Sequence, residues 1–376
     1  MLAQPPLWLI LIAFVGVLGP LVFFHELGHY MVARWFGIPA ETFSIGFGRE
    51  IVGWTDRKGT RWKIGWLPLG GYVRFVGDMS AASNPAELEA IPLEHRETAF
   101  QVRPVWQRFL VVLAGPAANF LLAILIFAAF FAAYGMPRTP NLVGSVRAGS
   151  TAATIGIEPG DRIVEIAGED VSRFEDIQRI VVMRPGETVT IVVDRGGRRL
   201  SSPARLGVAQ ERDRFGQTFR IGMLGVLGSK PVVEPVPVLQ IVPEAVRYTV
   251  VLTRSMIEGL GQVISGRRGT EDVGGPIKIA QIAGQQASLG ALPFVQLLAL
   301  FSINLGFINL LPVPMLDGGH LLFYAVEAVR RRPISARAME WAFRGGLAVI
   351  LALVVFTTVN DLGSIGLWDR LQRLIG

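Results

Sequence analysis

Long apolar stretches without charge constrain this chain more than any other feature. Residues 1–24 carry no charged side chain, Phe109 to Met136 carry none, and none occurs between Lys278 and Asp317. A helix that crosses a bilayer needs about 20 mostly apolar residues, and in lipid only a helix or a closed barrel satisfies its own backbone. Four helical spans are therefore predicted, at residues 1–36, 109–136, 292–329 and 342–362. Composition agrees: 51% of the 376 residues are apolar and 18% charged, against about 25% charged in an ordinary globular domain. The start of the chain reads as a retained span and not a cleaved leader, because it lacks a basic n-region and runs directly into His25 and Glu26. The absence of cysteine excludes a disulfide scaffold and any thiolate ligand or nucleophile. The net charge of +6 does not imply a nucleic-acid partner, since no polar segment interleaves basic and aromatic residues.

Lys and Arg near span ends mark the cytoplasmic side. The loop 37–108 and its flanks hold ten of them from Arg34 to Arg108, and the loop 330–341 holds Arg330, Arg331, Arg332 and Arg337. Both loops read as cytoplasmic. Both termini, including the tail 363–376, and the stretch between spans two and three then face the opposite side. Within that stretch, residues 137–229 show short alternating segments, such as Val143–Val146 and Thr188–Val193, separated by turns such as Glu158-Pro159-Gly160-Asp161. A small β-rich domain is expected there. Residues 230–291 read as a linker with amphipathic helices. Val246, Val250, Ile257, Leu260 and Ile264 lie at helical spacing, to rest on the membrane surface or to pack against the β-rich domain.

The chemistry is concentrated in two places. The first span ends His25-Glu26-Leu27-Gly28-His29. Positions four apart share a helix face, so His25 and His29 can offer two imidazoles to one metal, with Glu26 offset to act on a bound water as general base. The motif is short, but it holds two of only four histidines. It also lies in an apolar helix, where a charged group costs roughly 2.5–3.5 kcal/mol. The second place is Asn304 to His320 in the third span. Pro312 and Pro314 remove backbone donors and break the helix inside the membrane, which is tolerated only in protein or beside a wet cavity. Asp317 and His320 are both candidates for a third ligand, and spacing does not choose between them. His25 lies nine residues before Arg34 and Asp317 thirteen before Arg330, roughly 13 and 20 Å from those ends at 1.5 Å per residue. The two motifs can meet.

His25-Glu26-Leu27-Gly28-His29 in the first span and Asn309-Leu310-Leu311-Pro312-Val313-Pro314-Met315-Leu316-Asp317-Gly318 in the third resemble the site-2 protease family, and within it the bacterial regulator-of-sigma-E protease branch. The resemblance covers almost the whole chain. It implies an intramembrane zinc endopeptidase with one zinc ion per chain held by His25, His29 and Asp317, and with Glu26 as catalytic base. It also implies that Asn304 and Asn309 help to hold the substrate backbone. Leu69-Gly70-Gly71-Tyr72-Val73-Arg74-Phe75 resembles that family's membrane re-entrant β-loop, which assigns Gly70, Gly71 and Tyr72 to an unwound substrate; an ordinary cytoplasmic hairpin would read the same. Gly115-Pro116-Ala117-Ala118-Asn119 also fits the family, as a close-packing segment without a catalytic role. Residues from Val143 to Ile163 resemble one PDZ domain. No glycine-rich carboxylate-binding loop precedes Val143, so the outer domain is expected either to bind a peptide end or to act as a size filter.

The fold expected is thus a multi-span α-helical membrane protein with four transmembrane helices, a re-entrant β-loop and an inserted β-rich PDZ-like domain. It would sit in the bacterial inner membrane, with both termini and the PDZ-like domain periplasmic. Its partners would be the lipid bilayer and a transmembrane peptide, an anti-sigma factor or a remnant signal peptide, cleaved in regulated intramembrane proteolysis. A metal or small-solute transporter is the alternative for intramembrane His, Glu and Asp beside a broken helix, but four spans without an inverted repeat speak against it. A catalytically dead membrane chaperone is the third reading, and the intact motif letters speak against that.

Overall fold

The computed structural model describes residues 5–76, 97–212, 218–265 and 274–364. The predicted tail beyond residue 364 lies outside them. In chain order the elements begin with α1 (Leu7–Trp35), the strands β1 (Ala40–Thr55) and β2 (Arg61–Phe75), and α2 (Val105–Tyr134). There follow β3 (Met136–Arg138), β4 (Val143–Val146), α3 (Thr151–Thr154), β5 (Arg162–Ile166), β6 (Glu169–Asp170), α4 (Phe174–Val182), β7 (Thr188–Arg195) and β8 (Arg198–Arg205). Then come β9 (Gly207–Arg212), β10 (Thr218–Met223), β11 (Val226–Gly228), β12 (Val232–Glu234) and α5 (Val238–Ile264). The last four helices are α6 (Pro276–Ser288), α7 (Ala291–Asn309), α8 (Asp317–Arg330) and α9 (Ala336–Ser364). The chain divides into two compact units, Ala129–Ile241 with Ile264–Arg267, and the remainder.

The larger unit is helical. Among the described residues four helices are long and apolar enough to cross a membrane: Leu7–Trp35, Val105–Tyr134, Ala291–Asn309 and Arg337–Gly363. Their outer faces are bare hydrocarbon, with Leu11, Ile12, Leu121, Leu125, Leu351 and Val355 all exposed. Water would not tolerate a surface of that extent, whereas lipid does. The third predicted span is two helices, α7 and α8, because Pro312 and Pro314 interrupt it after Asn309.

Residues 230–291, expected to be a linker with amphipathic helices, hold α5 and α6. α5 begins at Val238 and continues through Pro243. It packs Tyr248 edge-on against Phe127 of α2 and leaves Val246, Val250, Ile257 and Leu260 exposed. α6 belongs to the helical core. The carboxylate of Asp361, buried on α9, accepts from the amides of Gly275, Ile277 and Lys278 at 2.9–3.1 Å, so a distant side chain satisfies the first donors of α6. Ala13, Val17 and Leu21 of α1 share one apolar cluster with Ala283 of α6 and Leu297 of α7.

β1 and β2 form an antiparallel hairpin folded on itself. Thr42 to Ile45 lie opposite Arg74 to Gly71 on one edge and opposite Arg61 to Ile64 on the other. The last part of β2 is thereby an outer row, and among the described residues no strand pairs with its far edge.

The smaller unit is a β-rich fold around Ile163, Ile166, Ile177, Ile180, Ile191 and Leu206. One sheet has the order β6-β5-β7-β8, and β11 pairs with β4 in another. Strand alternation explains the core: Val189, Ile191 and Val193 of β7 are buried while Thr188 and Thr190 are exposed.

Candidate metal centre

α1 buries every fourth residue along one line: Ala13, Val17, Leu21, His25, His29 and Ala33. A step of four nearly closes one helical turn, so the two imidazoles occupy consecutive positions of the packing stripe itself. Their Nε2 atoms are 3.3 Å apart. α2 forms the wall behind them. A Cβ on Gly28 would fall 2.2 Å from the Ala114 carbonyl oxygen, and one on Gly115 would fall 2.2 Å from His29 Nε2. Glycine is what lets α1 and α2 approach closely enough to leave room for an imidazole. His29 Nδ1 lies 2.8 Å from the Val111 carbonyl oxygen. That oxygen can only accept, so Nδ1 carries the proton and Nε2 presents a bare lone pair.

Asp317 arrives from the far end of the sequence. After α7 ends, the chain runs irregularly through Pro312 and Pro314, and Met315 adopts φ 84°. The left-handed region costs a non-glycine residue roughly 1–2 kcal/mol, a strain held in place by the surrounding packing. α8 restarts at Asp317. The connection folds back over that start, and a Cβ on Gly318 would fall 2.3 Å from the Leu311 carbonyl oxygen. Asp317 Oδ2 thereby lies 3.1 Å from His25 Nε2 and 3.6 Å from His29 Nε2.

The ligand atoms of His25, His29 and Asp317 all lie within 4.8 Å of one another. Asp317 Oδ2 is buried and makes no well-formed hydrogen bond. Acceptor atoms converging so closely repel unless a cation stands among them, and two imidazole nitrogens with one carboxylate oxygen are a zinc donor set with a position left open. The residues fit the ion. His320 is outside this cluster: it lines the same cavity, with Nδ1 3.3 Å from the Leu316 carbonyl oxygen.

A cavity of about 860 Å³ opens beside the donors, lined among others by Glu26, Gly70, Gly71, Tyr72 and Asn309. The backbone amide of Val73 is within hydrogen-bonding reach of the Glu26 carboxylate, and a Cβ on Gly71 would stand 3.1 Å from Glu26 Cγ. The outer row of β2 therefore runs alongside the glutamate. Asn304 is half-buried five positions before Asn309 and is not among the lining residues of the cavity. Val111, Gly115 and Asn119 of α2 lie against the two histidines; in the sequence, Gly115 and Asn119 read only as parts of a close-packing segment and Val111 carries no signal.

The β-rich unit has its own groove, about 470 Å³, between α4 and the run Gly222 to Leu227. Gly222-Met223-Leu224-Gly225 leads into β11, with Gly225 at φ 85°. Pairing of β11 with β4 places this turn beside the start of the β-rich unit.

A helical protein with four helices long and apolar enough to cross a membrane, and with two imidazoles, a carboxylate and a further glutamate around one cavity, defines a class, the membrane-embedded metallopeptidases. The family model of peptidase family M50 matches residues 13–353, and the chain belongs to that family. A candidate zinc metalloprotease of Agrobacterium fabrum is 45% identical over 362 residues, covering 94% of this chain and 96% of the relative. Metalloprotease MmpA of Caulobacter vibrioides is 38% identical over 380 residues, covering 94% and 95%. Among solved structures, the PDZ domain of the SdrC-like protein of Listeria monocytogenes is 22% identical and covers 24% of this chain and 87% of its own, with a TM-score of 0.19. The chain is a zinc metalloprotease with membrane-spanning helices.

Proposed function

We propose that this metalloprotease cuts single transmembrane helices within the membrane, in regulated intramembrane proteolysis, with an anti-sigma factor or a remnant signal peptide as substrate. The observation that carries the reading is the position of the donors: His25, Glu26 and His29 are buried within an apolar helix of 29 residues. In this reading His25, His29 and Asp317 hold the zinc ion. When bound, zinc polarises the scissile carbonyl and acidifies a water molecule to a pKa of about 7. Glu26 takes the proton of the attacking water on its carboxylate and passes it to the leaving nitrogen.

A helical substrate shields its peptide bonds, so it must unwind first. The outer edge of β2, with which no strand pairs among the described residues, supports a way to hold it by strand addition, with Gly70, Gly71, Tyr72 and Asn309 around it. On this reading β1 and β2 are the re-entrant β-loop, and Asn304 acts from the same helix as Asn309. The arginine bias supports cytoplasmic loops at 37–108 and 330–341, with both termini and the β-rich, PDZ-like unit on the periplasmic side of the inner membrane. The exposed apolar line of α5 supports its lying on lipid. The groove on the β-rich unit supports capture of an extended peptide end over a purely steric filter.

The test is cleavage of a tagged single-span anti-sigma factor, truncated on its outer side, by the purified chain in detergent. Cleavage within the span, sensitive to a zinc chelator and absent in Glu26→Gln, is the expected result. A folded, zinc-loaded protein that cleaves neither this substrate nor a remnant signal peptide would overturn the substrate assignment.

A further inference from the structure

Asn119 is fully buried on α2, and no step above uses it. Its Nδ2 is placed 3.1 Å from His25 Nδ1, while its Oδ1 has no hydrogen-bond partner. Its backbone carbonyl accepts from Ser302 Oγ of α7 at 2.7 Å, which fixes the residue between two helices. His25 turns Nε2 toward Asp317 and His29. A lone pair directed at a cation from Nε2 requires the ring proton on Nδ1. An amide N–H₂ facing that N–H would set donor against donor and leave the amide oxygen buried without a partner, an expensive arrangement on both counts. Amide oxygen and nitrogen exchange by half a turn of the side chain and are assigned from their neighbours. Turning the amide brings Oδ1 to His25 Nδ1 and sets acceptor against donor there.

We propose that Asn119 is a positioning residue: its Oδ1 accepts the His25 Nδ1–H and holds His25 in the tautomer and orientation that bind zinc through Nε2. The Val111 carbonyl oxygen performs the same task for His29, so each imidazole has one acceptor on α2. Outer partners of this kind keep the ring from turning and raise its basicity, and their loss costs about 10- to 100-fold in metal affinity. The proposal rests on His25 being a zinc ligand.

The test is zinc affinity of the full-length protein in detergent, by competition with a chromophoric chelator, for wild type, Asn119→Leu, Asn119→Asp and His25→Ala. Asn119→Leu keeps the volume and removes the acceptor. Asn119→Asp keeps the acceptor and removes the N–H₂ donors. The expected result is a 10- to 100-fold loss for Asn119→Leu and near-wild-type affinity for Asn119→Asp, with the cobalt-substituted visible spectrum altered only in the leucine variant. Equal loss in both variants would mean that packing and not the acceptor matters, and no loss in Asn119→Leu would also overturn the proposal. Unchanged affinity in His25→Ala would instead overturn the ligand assignment beneath it. Circular dichroism of the zinc-free variants identifies any that fails to fold; if the leucine variant does, Asn119→Ala, which also removes the acceptor, takes its place under the same outcomes.

Discussion

The Arg195 guanidinium spans the Asp161 carboxylate, with Nε 2.7 Å from Oδ1 and Nη2 2.7 Å from Oδ2. Asp161 is almost fully buried and also accepts the Glu158 amide at 2.8 Å, so one carboxylate ties the turn before β5 to the end of β7. The Arg195 hydrogen bonds hold the Asp161 carboxyl below its ordinary range. A folded value below the unfolded value of about 4 means stability fully present above pH 4 and lost as pH falls through the folded value. Asp161→Asn is expected to lower the protection of β5 and β7 amides near neutral pH by roughly 1.5–3 kcal/mol, the range for hydrogen bonds to charged groups. The difference from wild type should shrink toward pH 2. Hydrogen exchange on the whole protein in detergent reads both, and a pH-independent difference would contradict the assignment.

Gly115→Ala should be an improvement by helix propensity alone, by about 1 kcal/mol. The added methyl would stand 2.2 Å from His29 Nε2, and His29 cannot swing away without leaving the Val111 oxygen. The expected outcome is at least a tenfold loss of zinc affinity, comparable with removal of an outer-sphere partner, at unchanged helix content. Chelator competition and far-ultraviolet circular dichroism decide it.

His29→Ala and Asp317→Ala should each leave less than one zinc per chain in the purified protein, measured by elemental analysis. Glu26→Gln should keep its zinc and lose cleavage by about 10²- to 10⁴-fold, the span attributed to general acid–base catalysis. The contrast separates ligands from base. Full zinc in both ligand variants would remove them from the metal site.

The Asp361 carboxylate serves three amides at the start of α6. Asp361→Leu should expose those donors and loosen α6 from α1, with a cost of about 1–3 kcal/mol for the buried groups left unpaired. Faster amide exchange at Ile277 and Lys278, with α7 unchanged, is the expected pattern. Uniform destabilisation would argue against a local cap.

The parts of this architecture legible in the sequence are those that local physics encodes. α1 and α2 follow from uncharged apolar runs, and the division of the third span follows from Pro312 and Pro314. α6 was not legible as a helix of the core: Lys278, Gln281, Gln285 and Gln286 give it the polarity of a surface segment, and its cap is supplied by Asp361 from α9. The place of the Gly222–Gly225 turn beside β4 is not legible in the sequence, because only the pairing of β11 with β4 brings the two segments together. The same limit applies at the metal centre. His25, Glu26 and His29 are neighbours along one helix, but the roles of Gly115 and Val111 exist only where α2 crosses α1, and no spacing rule records a crossing.

The donor cluster draws its first members from positions 25 and 29 and its last from position 317. Ribosomes add about 5–20 residues per second, so roughly 15 to 60 seconds pass between the appearance of the histidines and that of the aspartate. Throughout that interval α1 carries its glutamate without a complete set of donors beside it. With the ligand roles proposed above, the zinc site is incomplete until the last sixth of the chain has been made, and no cleavage is expected before then.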